Sequence, residues 1–123
     1  MITFDTGALI AIERRRDRML RVLRAAEQTG TPIVVPAVVL AEWWRQRPSP
    51  RMALLLEAVT IEPVGDELAR AAGEALAAVE GATTIDALVM ASAALRGGVV
   101  YTSDVGDLER LRGHFPSVRV LAV

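Results

Sequence analysis

The sequence predicts an α/β fold: a three-layer sandwich on a mainly parallel central sheet of about four to five strands. Short β-like apolar runs alternate with helical stretches along the whole chain, the pattern of strands joined by helical crossovers. The 123 residues suffice for one compact domain and are too few for two ordinary ones. Of these, 52% are hydrophobic, enough to bury a core. No repeat, linker or low-complexity tract intervenes, so residues 1–123 are expected to form a single domain.

Residues 2–4 read as a first strand ending at Asp5, and a helix opens at Thr6-Gly7. A second helix over 17–29 has its apolar stripe at Met19, Val22, Leu23 and Ala26 and stops at Gly30. Residues 33–35 form a fully apolar strand. Pro36 suits the first position of the next helix, where its missing N–H costs nothing. That helix should reach about Gln46, before Arg47-Pro48-Ser49-Pro50 breaks it. A helix over 51–58 and a strand near 59–64 follow. Residues 66–80 are amphipathic, with Leu68, Ala72, Leu76 and Val79 inward and Glu67, Arg70 and Glu74 outward. Residues 85–96 are apolar nearly all round, which predicts a central buried helix. Gly97-Gly98 turns into a strand over 99–102, a helix spans 105–114, and 118–123 is the last strand.

The chain has no cysteine, which removes disulfides, thiolate chemistry and cysteine-ligated zinc together. Met1-Ile2-Thr3-Phe4 offers no basic region before an apolar run, and no run nears the roughly 18 residues of a membrane span. The expected location is the cytoplasm, with no membrane partner. Net charge is −1, but it is unevenly spread: residues 1–60 carry nine arginines against six acids, and residues 61–123 five against nine. Every positive side chain is an arginine, whose planar fork suits phosphate; a composition bias accounts for this equally well.

Open parallel sheets place their sites beyond the carboxyl ends of the strands, and Asp5 and Asp104 both fall there. Glu42 sits in an apolar helical segment between Ala41 and Trp43, an unusual place for a free carboxylate. Asp86 opens the most apolar helix. Singly, each acid has a structural reading too: Asp5 as an N-cap, Thr83 with Asp86 and Asp104 with Asp107 at capping-box spacing, and Glu42 as a solvated helix residue. Together they would crowd negative charge that a cation must neutralise. Oxygen-only donors fit Mg²⁺, with Mn²⁺ as a substitute, rather than zinc. A cation in such a pocket binds phosphates, which points to phosphodiester hydrolysis.

The chain resembles the PIN-domain ribonucleases, and within them the VapC-type toxins of bacterial toxin–antitoxin pairs. The resemblance spans essentially the whole chain. It rests on Phe4-Asp5-Thr6, on Pro36-Ala37-Val38-Val39-Leu40-Ala41-Glu42, on the run from Thr84-Ile85-Asp86 to Ala93, and on Val100-Tyr101-Thr102-Ser103-Asp104. It implies a PIN-like, Rossmann-like sheet and a Mg²⁺-dependent endoribonuclease acting as the toxin of such a pair. It further implies an RNA substrate, a homodimer and a cognate antitoxin covering the site. Asp5, Glu42, Asp86 and Asp104 take the four acidic positions; Asp5, Asp86 and Asp104 hold the metal, Glu42 does so directly or through water, and Asp107 is an optional fifth acid. Thr6 and Ser103 match small hydroxyl positions that orient the carboxylates.

The alternative is a catalytically silent PIN-like binding or scaffold domain. A phospho-acceptor receiver domain would need a lysine, and a haloacid-type phosphatase a second acid where Asp5-Thr6-Gly7 has none. Arg14 and Arg18, with Arg21 and Arg24, share a helix face that serves RNA phosphates or is simply solvated; Arg45 and Arg47 flank the Glu42 helix as further RNA contacts. Trp43 and Trp44 cannot share one face, so at least one is expected in the core or a contact. Leu54-Leu55-Leu56 is expected at an interface.

Overall fold

A computed structural model describes residues 1–123. Its five strands are β1 (Ile2–Phe4), β2 (Ile33–Pro36), β3 (Thr60–Glu62), β4 (Val99–Thr102) and β5 (Arg119–Ala122). They form one sheet in the order β3-β2-β1-β4-β5, with every pairing parallel. The register sets Ile2 beside both Ile33 and Val99, which puts the most apolar strands at the centre. From β1 the chain steps outward through β2 to β3, then returns to β4 on the other side of β1. Right-handed crossovers force these two runs of connections onto opposite faces, which gives the three layers.

The helices are α1 (Thr6–Glu13), α2 (Asp17–Thr29), α3 (Ala37–Trp44), α4 (Pro50–Ala53), α5 (Asp66–Ala78), α6 (Thr84–Arg96) and α7 (Val105–Glu109). Helix α2 has the expected ends. Gly30 closes it at φ 68°, a left-handed conformation that glycine adopts without a Cβ clash. Helix α6 is the central helix its composition predicts: Ala87 through Ala93 are all buried, and it touches β1, β2, β4, α3, α5 and α7. No helix is long and apolar enough to cross a membrane.

Several expectations need correction. Pro36 ends β2 and precedes α3 rather than opening it, and α3 stops at Trp44, where Arg45-Gln46-Arg47 curls off with Arg47 at φ 50°. The expected 51–58 helix is split: α4 starts at Pro50 and gives way to a 3₁₀ turn over Leu54–Ala58. Three residues per turn spread Leu54, Leu55 and Leu56 around the axis, so Leu54 is 59% exposed while its neighbours pack on the core. The last helix ends at Glu109, not at His114; the following amides of Leu111, Arg112 and His114 bond three residues back instead.

Trp43 is fully buried and its indole N–H donates to Glu13 at the end of α1, while Trp44 is 48% exposed. A buried polar network that the sequence did not announce ties β3 to α6. The Ser92 hydroxyl donates to Glu62 (2.6 Å), Arg96 Nη2 donates to Ser92 (2.6 Å), and Arg96 Nη1 pairs with the other Glu62 oxygen. Only Arg96 Nε in this network has no partner.

Candidate active site

The reversal of strand order lies between β1 and β4. Their carboxyl ends diverge there into helices running opposite ways around the sheet, so a crevice opens that backbone cannot fill. Asp5 leaves β1 at this point, and Asp104 follows β4 by two residues. A cleft of about 300 Å³ is lined by Asp5, Glu42, Asp86, Asp104 and Asp107 together with Thr6 and Thr83. Four separate stretches of chain thus bring five carboxylates to one place.

Each acid is held by local structure. Asp5 caps α1, accepting the Ala8 amide at 3.1 Å. Asp86 lies in the first turn of α6, and its own amide donates to the capping Thr83 hydroxyl at 3.2 Å. Glu42 projects from α3 and accepts a hydrogen bond from the Thr6 hydroxyl. Asp104 occupies the cap position of α7, yet its side chain makes no cap bond, which leaves the carboxylate to the cleft. Asp107 lies 3.6 Å from Arg110 in an exposed pair. The capping readings therefore hold for Asp5 and Thr83 and fail for Asp104.

Burial is the main cause that pushes the Asp5 carboxyl up from 3.8 to about 6, and the charge of Asp104 adds to it. Hydrogen bonds from Thr102 and the Ala8 amide offset part of that rise. Asp86 is raised as well, first by burial and then by Asp107, Asp104 and Glu42, against a lowering bond from Thr83. No arginine lines the cleft, and Arg110, paired with Asp107 at its exposed edge, is the one guanidinium that meets any of the five acids, so like charge is crowded around Asp5, Glu42, Asp86 and Asp104. A divalent cation is the natural neutraliser, and a donor set of carboxylate and hydroxyl oxygens fits a hard ion such as Mg²⁺ or Mn²⁺. No three carboxylates converge tightly enough here to make a finished cation cage. Completing one would take side-chain rotation, most easily at exposed Asp104 and Asp107.

The remaining sequence-derived candidates divide. Thr6 meets Glu42, as a carboxylate-orienting hydroxyl would. Ser103 lies outside the acidic cleft, packed on Gly7 so closely that a Cβ there would fall 2.2 Å from its Oγ. The neighbouring Thr102 is the hydroxyl that meets the backbone of a cleft acid. Fully buried, it accepts the Asp104 amide at 2.9 Å, and its hydroxyl is among the groups that work against the rise of the Asp5 carboxyl. Strand alternation could have found it: Val100 and Thr102 point to the same buried side of β4. Arg18 spends its Nε on the Ala122 carbonyl at 2.9 Å. Arg45 and Arg47 are exposed beyond α3 and outside the cleft, and Arg14 lines a separate one.

The family model of the PIN domain matches residues 2–113. The chain belongs to the PIN domain family. Comparison with curated protein sequences gives no match, whereas solved structures share the fold over nearly the full length. A VapBC2 complex from Rickettsia felis bound to a promoter DNA fragment matches with a TM-score of 0.79 at 17% identity, covering 100% of this chain and 99% of that one. A toxin–antitoxin complex from Klebsiella pneumoniae gives 0.75 at 19% identity, with 96% and 95% covered. A DNA-bound VapBC from Salmonella typhimurium gives 0.76 at 16% identity, with 98% and 96% covered. At these identities the likeness is one of fold, and the PIN domain here carries its five acids at the switch point of that fold.

Proposed function

We propose that this PIN domain is a Mg²⁺-dependent endoribonuclease and the toxin of a toxin–antitoxin pair. The observation that carries the nuclease reading is the convergence of Asp5, Glu42, Asp86, Asp104 and Asp107 in one cleft that no arginine lines. The toxin reading draws on the fold shared with VapBC complexes, and a cognate antitoxin and a homodimer belong to that same reading.

Asp5, Asp86 and Asp104 would hold the cation, Glu42 directly or through water, and Asp107 as a further acid. When bound, Mg²⁺ supplies an activated water and screens the charge of the phosphate oxygens. The chain's own part is positional. Thr102 fixes the backbone of Asp104, the Ala8 amide fixes Asp5, Thr6 fixes Glu42, and Thr83 fixes the start of α6 that carries Asp86. Partly buried carboxylates stay ionised at neutral pH once a cation faces them.

The test is hydrolysis of total RNA and Mg²⁺ binding by calorimetry, for the unmodified protein and for Asp86→Asn. Expected are Mg²⁺-dependent cleavage, loss with chelator, and loss in the variant. Hydrolysis indifferent to chelator and substitution would overturn the site. No hydrolysis together with no Mg²⁺ binding would instead leave a silent scaffold domain.

A further inference from the structure

A second cleft, of about 310 Å³, adjoins the acidic one and has the opposite charge. Gly7, Ile10 and Ala11 of α1 line it together with Arg14 at the C-cap of that helix, spaced i, i+3, i+4 and i+7. Arg16, Ser103 and Val123 complete it, and no acidic side chain takes part. Neither Arg14 nor Arg16 is engaged in any of the four ion pairs of the molecule. Gly7 belongs to both clefts, and its contact with Ser103 is the low ridge between them.

Two features aim the arginines. Arg15, between them, has φ 54°, a left-handed conformation uncommon for a residue with a Cβ. This reversal puts Arg14 and Arg16 on one cleft while Arg15 lines another, beside Glu13 and Arg51. The Arg18 bond to the Ala122 carbonyl then ties the start of α2 to the carboxyl end of β5. The arginine turn is thereby held at the same edge of the sheet as the five acids.

We propose that the Arg14–Arg16 cleft is a phosphate subsite that holds the flanking strand of a single-stranded RNA whose neighbouring phosphodiester lies in the acidic cleft. This rests on the ribonuclease reading of the acidic cleft. A strand crossing the Gly7–Ser103 ridge passes from a cation-dependent grip to a guanidinium grip, and a Cβ at position 7 would raise the ridge in its path. From Gly7 to Arg14 the α1 axis advances about 10 Å, so the subsite holds phosphates a short way along the strand from the scissile one. Guanidinium forks donate paired N–H bonds to phosphate oxygens without reading the base.

The experiment compares unmodified protein with R14Q/R16Q and with R70Q/R119Q, which removes the same charge elsewhere. Binding of a fluorescent single-stranded RNA is followed by anisotropy against salt with chelator present, and hydrolysis is followed separately with Mg²⁺. Expected for R14Q/R16Q are a Kd raised about 10-fold at low salt and a salt slope shallower by about 1.4, the share of two phosphate contacts on a single strand. KM should rise similarly while kcat at saturation stays within about 3-fold; R70Q/R119Q should move none of these beyond about 2-fold. Unchanged Kd and slope in R14Q/R16Q, with cleavage intact in the unmodified protein, would overturn the subsite and leave the nuclease reading standing. Weakened RNA binding in R14Q/R16Q without cleavage by any form would keep the subsite and remove the nuclease. A variant that loses a poly-glutamate peptide but retains RNA would reassign the cleft to an acidic protein segment.

Discussion

Thr6 and Glu42, thirty-six residues apart, meet across the acidic cleft through a hydrogen bond from the threonine hydroxyl to Glu42 Oε1. It joins the first turn of α1 to the second half of α3 and removes rotational freedom from the Glu42 side chain.

Thr6→Val keeps the shape of the side chain and deletes the donor. The expected result is a loss of about 10-fold to 100-fold in Mg²⁺ affinity or activity, the usual range for a partner that orients a metal-binding group. Thr6→Ser should retain most of it. Calorimetry with Mg²⁺ and hydrolysis rates measure both; a fully active valine variant would deny the hydroxyl this role.

Asp5 should cost stability where it serves function. Its folded pKa of about 6 lies above 3.8, so its contribution is best below about pH 4 and declines as pH rises towards 6. Asp5→Asn retains an acceptor for the Ala8 amide and abolishes this titration. Above pH 6, without Mg²⁺, it should gain on the order of 2 kcal/mol, about 5–10 °C in Tm, while losing activity. Mg²⁺ should raise the Tm of the unmodified protein and not that of the variant. Calorimetric scans at pH 4 and pH 7.5 decide the matter, with a Tm gain of equal size at both pH values counting against it.

Gly7→Ala should be poorly tolerated. Its Cβ would lie 2.2 Å from Ser103 Oγ and 2.8 Å from the Ser103 backbone nitrogen. Overpacking of this kind costs about 1–3 kcal/mol. Adding Ser103→Ala should recover only part of the loss, because the backbone contact stays. Chemical denaturation of the two variants measures this.

Glu62 and Arg96 should behave as a unit. Their side chains are 21% and 17% exposed, so removing one partner leaves a half-buried charge at a cost of about 2 kcal/mol. Glu62→Ala combined with Arg96→Ala should cost little more than either alone. A double-mutant cycle gives the coupling, and RNA hydrolysis should be unaffected by all three variants.

Much of the fold is legible in the residues because it depends on local pattern. The 17–29 helix is bounded by its stripe and Gly30, and the all-round apolar run of α6 marks its place at the centre. The 3₁₀ turn after Ala53 and the early end of α7 were not legible, since fraying of a short helix depends on what its neighbours bury. Thr102 was overlooked for Ser103 because the two differ by one position, and only strand register says which hydroxyl faces inward.

Periodicity and capping act over a few residues, and they are enough to mark an α/β chain with acids at strand ends and helix starts. The return of β4 beside β1 depends on long-range packing, and it brings Asp5 to Asp104 and sets Glu42 and Asp86 across from them. The same non-local packing joins Glu62 to Arg96 and places two unpaired arginines across a ridge from five acids. Such relations are fixed by strand order and burial, and no short stretch of sequence contains both partners.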